Sequence, residues 1–192
     1  MLAAILGGIL CLPIVAMAAI AIKIVDPGPM FFTQSRRGLH GKAFRLVKLR
    51  TMRQNADSSI SKIRPADNVK LDPRIYRSAA DPRIIPKIGS FLRRYSIDEL
   101  PQIWNVLVGD LTLVGPRPLP EYHTRLFDEE FLVLRESVKP GITGLWQIKS
   151  RNQADPTTIE HYDREYIANS GVQYDAWIVL RTVMCVIRGK GI

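Results

Sequence analysis

Residues 1–22 contain no charged side chain, and this run constrains the chain more than any other stretch. As a helix it would measure roughly 33 Å, close to one hydrocarbon core, so its length and composition predict a membrane segment. No basic residue precedes it, as a cleavable signal would require. Pro13 stands near its middle and must delete one backbone hydrogen bond, which leaves open both a straight span and a helix hairpin that re-enters the same face. Between Lys23 and Arg64 there are ten Lys or Arg against two acids, Asp26 and Asp57. The positive-inside rule puts that flank in the cytoplasm.

The remaining 170 residues suffice for one domain with a real core. With 27 Lys and Arg against 18 Asp and Glu the formal charge is +9, so by charge alone the expected partners are anionic: phosphates, acidic lipid headgroups or nucleic acid. Cys11 and Cys185 are isolated in apolar runs, which argues against a disulfide framework or a zinc site. His40, His123 and His161 lack ligand spacing. The interleaved aromatic and basic residues of single-strand binders are missing, and no nucleic-acid partner is expected.

After the Asp26-Pro27-Gly28-Pro29 turn, two short strands are expected around Gly38-x-x-Gly41, over Met30–Gln34 and Lys42–Met52. Residues 55–83 turn polar, with Asp-Pro-Arg-Ile at Asp72 and again at Asp81. Helices are expected over Ile88–Tyr95, over Leu100–Val108 (with Leu100, Ile103, Trp104, Leu107 and Val108 as its core face), in two pieces over Glu121–Ser137, and over Thr158–Ala168 and Asp175–Arg188. The last is too short and interrupted to span convincingly and reads as lying on the domain or along the membrane interface. Leu111–Val114 reads as a strand and Lys139–Gly144 as a tight turn whose glycines admit close backbone approach to a ligand. The fold class is α+β.

Unusual chemistry concentrates between Arg93 and Pro118. Two adjacent arginines, Arg93 and Arg94, precede two adjacent acids, Asp98 and Glu99. Ser96-x-x-Glu99 has the form of a capping box, and Pro101 pushes the helix start toward Ile97 or Asp98, leaving Asp98 at a helix mouth where both a carboxylate and phosphate are favoured. Prolines 116 and 118 restrict the backbone around Arg117 and hold its guanidinium in one direction, suited to bidentate capture of phosphate; a surface arginine in a Pro-rich turn is the plainer alternative.

These words, Asp81-Pro82-Arg83, Gly89-x-Phe91-Leu92-Arg93-Arg94-x-Ser96-Ile97-Asp98-Glu99-Leu100-Pro101-Gln102, Gly109-Asp110-Leu111-x-Leu113-Val114-Gly115-Pro116-Arg117-Pro118 and Lys139-Pro140-Gly141-Ile142-Thr143-Gly144, resemble those of the bacterial sugar transferases that are monotopic phosphoglycosyl transferases. The resemblance runs from Pro13 to about Arg188. It implies a re-entrant anchor over residues 1–25, broken at Pro13, and a catalytic domain over residues 26–192 with interfacial amphipathic helices. Leu12 replaces the serine that often precedes that proline, which removes hydroxyl help at the break. Larger members carry further membrane helices upstream, and whether this chain is a piece of such an enzyme stays open.

The implied reaction moves a sugar 1-phosphate from a UDP-sugar to polyprenol (undecaprenyl) phosphate with release of UMP, at the cytoplasmic face of the bacterial inner membrane, to start exopolysaccharide or O-antigen assembly. Asp98 is then the nucleophile and a ligand of Mg²⁺, and Glu99 the acid/base for the acceptor. Lys48, Arg93, Arg117 with Pro116 and Pro118, and Arg151 become the substrate-binding residues, with Arg50 nearby. Two rivals stay open: a membrane-anchored basic binding module without turnover, and a single-step transferase in which Asp98 only holds metal. Neither the sugar nor association into a homo-oligomer is legible.

Overall fold

A computed structural model describes residues 2–54, 56, 81–150 and 155–189. Arg151 and the first Asp-Pro-Arg copy, at Asp72, lie outside the described residues.

Leucine, isoleucine and alanine drive a single helix, α1, over Leu2–Val25. It runs through Pro13 as one helix, and the hairpin expected of residues 1–25 is not seen in it. Losing one hydrogen bond at Pro13 leaves the other turns intact. The segment Gly7–Val25 is long and apolar enough to cross a membrane. One side of its second half is small: Ala18, Ala19 and Ile22 are buried with Leu49, Ile85 and Leu92, and Val15, Ile88 and Ile97 pack around them. Leu10, Leu12, Met17, Ile20 and Ile24 on its other sides stay exposed.

Arg50 closes the turn that follows, donating through Nε to the Pro29 carbonyl at 2.6 Å and through its Nη atoms to the Asp26 carboxylate and carbonyl. This arginine, expected near the site, is thus engaged in holding the anchor's exit. The strands β1 (Phe31–Arg37) and β2 (Ala43–Leu49) then form an antiparallel hairpin in which Phe32 faces Lys48, Gln34 faces Leu46 and Arg36 faces Phe44. Because the side-chain period is two, these six residues share one face of the hairpin.

Asp81 and Arg83 form a buried ion pair, Arg83 Nη2 to Asp81 Oδ2 at 2.7 Å, that shapes the entry to α2 (Ile88–Arg94). Ile85 N donates to the Thr51 carbonyl at 2.9 Å and fastens this entry to the end of β2. A six-residue 3₁₀ segment, Ile97–Gln102, leads into α3 (Ile103–Leu107).

The expected core face of this stretch is only half formed, with Leu100, Ile103 and Leu107 half-buried. Trp104 is 59% and Val108 52% exposed, whereas Gln102 and Asn105 are buried. The cause is Asn105, whose Oδ1 accepts from Val47 N at 3.1 Å and whose Nδ2 donates to the Arg45 carbonyl at 2.8 Å. It completes backbone bonds on the free edge of β2, so Asn105 turns inward and Trp104 and Val108 face out, while Ile103 meets Gly8 of α1. Asn105→Ala would leave both β2 groups without protein partners. A loss of about 2 kcal/mol is expected, read as a melting temperature lower by several degrees.

β3 (Thr112–Val114) pairs in parallel with β4 (Gly141–Thr143), so the segment read as a tight turn is a strand. Its glycines admit backbone, not ligand: a Cβ on Gly141 would lie 2.1 Å from Gly115 N, and one on Gly144 2.3 Å from Gly115 O. The short helices α4 (Glu121–Thr124) and α5 (Glu129–Glu136) precede β4 in the chain; α6 (Leu145–Lys149), α7 (Pro156–Asn169) and α8 (Val172–Ile187) follow it. Asp128 and Asp155 cap α5 and α7 by accepting from Phe131 N and Thr158 N. Val114, Leu145, Tyr166 and Ile178 make a second core, against which α8 packs while Leu180, Val183 and Ile187 remain exposed.

Candidate active site

The chain reaches the acidic pair through Ser96, which adopts left-handed φ 53° and ψ 24° and makes no side-chain cap. The capping box is therefore not formed. A left-handed serine costs on the order of 1 kcal/mol, and here it turns the chain sharply from α2 into the 3₁₀ segment. That segment begins at Ile97, next to the expected start, and Pro101 fits within it. A single six-residue 3₁₀ piece carries little aligned dipole. What holds the acids is side-chain charge.

Asp98 and Glu99 are both buried. Burial, then the neighbouring Glu99 carboxylate, pushes Asp98 up to about 6, while Lys48, Arg93 and Arg117 oppose the rise. Lys48, on β2, is pulled down to about 8, chiefly by burial, although Asp98 works the other way. Its Nζ also sits 5.2 Å from the centre of the Phe32 ring. Arg117 Nη2 donates to Glu99 Oε1 at 2.6 Å. Burial would lower Arg117, but the Glu99 carboxylate outweighs it and the guanidinium ends above its usual range. β2, α2, the 3₁₀ segment and the Gly115–Pro118 turn thus bring Lys48, Arg93, Asp98, Glu99 and Arg117 together. Pro116 and Pro118 are buried on either side of Arg117.

The Arg117 carbonyl accepts from Arg135 Nη2, and Arg135 Nε pairs with Asp163 Oδ2 at 2.7 Å, both partners buried. The turn is therefore held by α5 and α7 as well as by its prolines. Reading the sequence missed this pair. The signal was available in the i, i+4 spacing of Phe131 and Arg135, which puts an arginine on the buried face of α5. Asn105 was missed too.

Among the described residues no group of three or more His, Cys, Asp and Glu is arranged to hold a metal. Two adjacent carboxylates nevertheless fit Mg²⁺, which keeps several waters and is commonly completed by substrate phosphates.

The family described as bacterial sugar transferase matches residues 1–189. The exopolysaccharide production protein ExoY of Sinorhizobium fredii is 34% identical over 99% of this chain and 84% of its own length. The galactosyl transferase CpsE of Streptococcus agalactiae is 41% identical over 98% of this chain but 41% of its own length. The UDP-glucose:undecaprenyl-phosphate glucose-1-phosphate transferase of Escherichia coli is 39% identical over 89% of this chain and 35% of its own length. The chain thus spans most of the first relative and well under half of the other two. With a matching family over nearly its whole length and a carboxylate pair set among cations, the chain belongs to the bacterial sugar transferases and is a sugar-phosphate transferase.

Proposed function

We propose that the protein transfers a sugar 1-phosphate from a UDP-sugar to polyprenol phosphate through a covalent aspartyl intermediate. The observation that carries this reading is the convergence of Lys48, Arg93 and Arg117 on Asp98 and Glu99 from elements far apart in the chain. In the first half-reaction an Asp98 carboxylate oxygen bonds to the sugar-bearing phosphorus and the bond to the UMP oxygen breaks, so UMP leaves with the electron pair. In the second, an oxygen of polyprenol phosphate attacks the same phosphorus and Asp98 leaves as carboxylate. An acid raised to about 6 is ionised near pH 7.5 yet more basic than an ordinary aspartate, which favours attack. The cations offset the repulsion between carboxylate and diphosphate. Glu99, held by Arg117, stands beside the reacting group as proton acceptor or donor for the acceptor substrate. Asp98, with Glu99 beside it, would hold Mg²⁺, which supplies further charge neutralisation at the phosphates. The basic flank after α1 supports a domain at the cytoplasmic face, and the exposed apolar sides of α1 and α8 suit a bilayer and its surface respectively.

The test is incubation of the membrane-bound protein with a panel of UDP-sugars, following UMP by chromatography and protein mass after acid quench. Donor alone should release up to one equivalent of UMP and add one sugar phosphate to the protein. An unchanged mass under conditions of full turnover would return Asp98 to a metal-holding role in a single-step transfer. No UMP from any donor would rule out UDP-sugars as the donors of this transferase.

Lys48 makes the reading sensitive to pH. Its folded value, about 8, lies below that of a free lysine, so the ammonium is lost as pH rises through about 8. The kcat/KM for donor is expected to fall there by several-fold, and Lys48→Arg, which stays charged, should move that limb upward. An unshifted limb would assign it to another group.

A further inference from the structure

We propose that Arg36 is a donor-binding residue of this site, its guanidinium taking a phosphate oxygen of the diphosphate beside Arg117. The inference rests on the transfer reaction set out above and adds a ligand from β1 that the acidic-pair motifs do not contain. Arg36 and Lys48 share one face of the hairpin, and Gln34 lies between them on that face. Arg36 Nη2 donates to Gln34 Oε1 at 2.7 Å and Nη1 to the Pro118 carbonyl at 3.2 Å. Its partners are neutral oxygens, one on the neighbour of Arg117, so they orient the guanidinium without neutralising it. Arg37 N also donates to the Leu119 carbonyl at 3.1 Å, which fixes the end of β1 against this turn.

The Arg36 Nε is buried and lacks a hydrogen-bond partner among the described residues. A buried donor left unpaired in a polar site is costly unless a ligand fills it. Arg36 is depressed to about 10, first by burial and then by the charge of Arg117, with Tyr122 and Glu99 acting in the other direction. Among the described residues Arg36, Lys48, Arg93 and Arg117 thus gather about the acids Asp98 and Glu99, a surplus of cations that attracts an anion. A diphosphate spreads its negative charge over several oxygens and suits such a cluster.

Inorganic pyrophosphate serves as the probe, titrated calorimetrically into the detergent-solubilised full chain, because its binding does not require turnover. Arg36→Gln is expected to weaken pyrophosphate at least tenfold, and Arg36→Lys to recover part of that loss. In steady state the donor KM should rise similarly while the KM for polyprenol phosphate stays within twofold. Gln34→Glu, on a strand edge and able to fold even where Arg36→Gln does not, should also weaken pyrophosphate, since its carboxylate would pair with the guanidinium. Pyrophosphate affinity within twofold of wild type in folded Arg36→Gln or in Gln34→Glu would reduce Arg36 to a pin between β1 and Pro118. So would a rise in both KM values together, or a wild-type chain that binds no pyrophosphate. If no UDP-sugar releases UMP, the transfer reading fails while the pyrophosphate titration still judges Arg36.

Discussion

Asp98→Asn is expected to cut UMP release at least a thousandfold, to remove the sugar-phosphate adduct, and at the same time to make the protein harder to unfold near neutral pH. The first two effects follow from chemistry, because an amide is a poor nucleophile and a weak ligand for Mg²⁺. The third follows from linkage. Asp98 stands at about 6 in the fold against 3.8 for an ordinary aspartate, so between those values the folded state binds more protons than the unfolded one. Its contribution to stability therefore falls as pH rises from about 4 to about 6 and is fully unfavourable above that, by on the order of 3 kcal/mol. Asparagine carries no charge to strand, and at pH 7.5 without added metal its melting temperature should exceed wild type by several degrees. At pH 5 the gap should narrow, since the wild-type carboxyl is then largely protonated. A variant less stable than wild type at pH 7.5 would show that Asp98 is a comfortable structural acid.

Arg117→Lys should lower kcat/KM by well over tenfold although charge is conserved. The guanidinium donates to Glu99 at 2.6 Å and is aimed by flanking prolines and by a carbonyl held from Arg135. A lysine ammonium can replace either the Glu99 bond or a phosphate contact, but not a planar fork serving both. Each lost charged hydrogen bond costs about 1.5–3 kcal/mol. With the Glu99 bond weakened, the second half-reaction should suffer as well as the first, which single-turnover measurement of UMP release and of product on polyprenol separates. Near-normal turnover by the lysine variant would make Arg117 a surface arginine of a Pro-rich turn.

The local grammar of the chain was readable where one stretch decides its own structure. The hairpin over 31–49 follows from alternation and Gly38-x-x-Gly41, and the helical start at Ile97 from Pro101. What escaped was decided by distant partners. Trp104 read as core because helical spacing reveals an apolar face but not which way that face points; Asn105 chose, by bonding to a strand sixty residues earlier. Gly141 read as ligand-facing because close approach has the same glycine signature whether the neighbour is phosphate or the backbone of Gly115. Arg36 could not be separated from Arg37 by sequence, yet alternation sends the first toward Lys48 and the second into an ion pair with Glu136 at 2.6 Å. The acids and Arg117 were legible because proline, charge pairing and family resemblance all mark them within twenty residues.

Ala18, Ala19 and Ile22 do more than complete an apolar helix: they are the floor on which Leu49, next to Lys48, and Ile97, next to Asp98, come to rest. Cutting the chain after Val25 to obtain a water-soluble enzyme would strip that floor and leave the residues on either side of the chemistry without support. α1 is consequently part of the domain's own foundation, and removing it is expected to cost activity even where the remaining chain stays in solution.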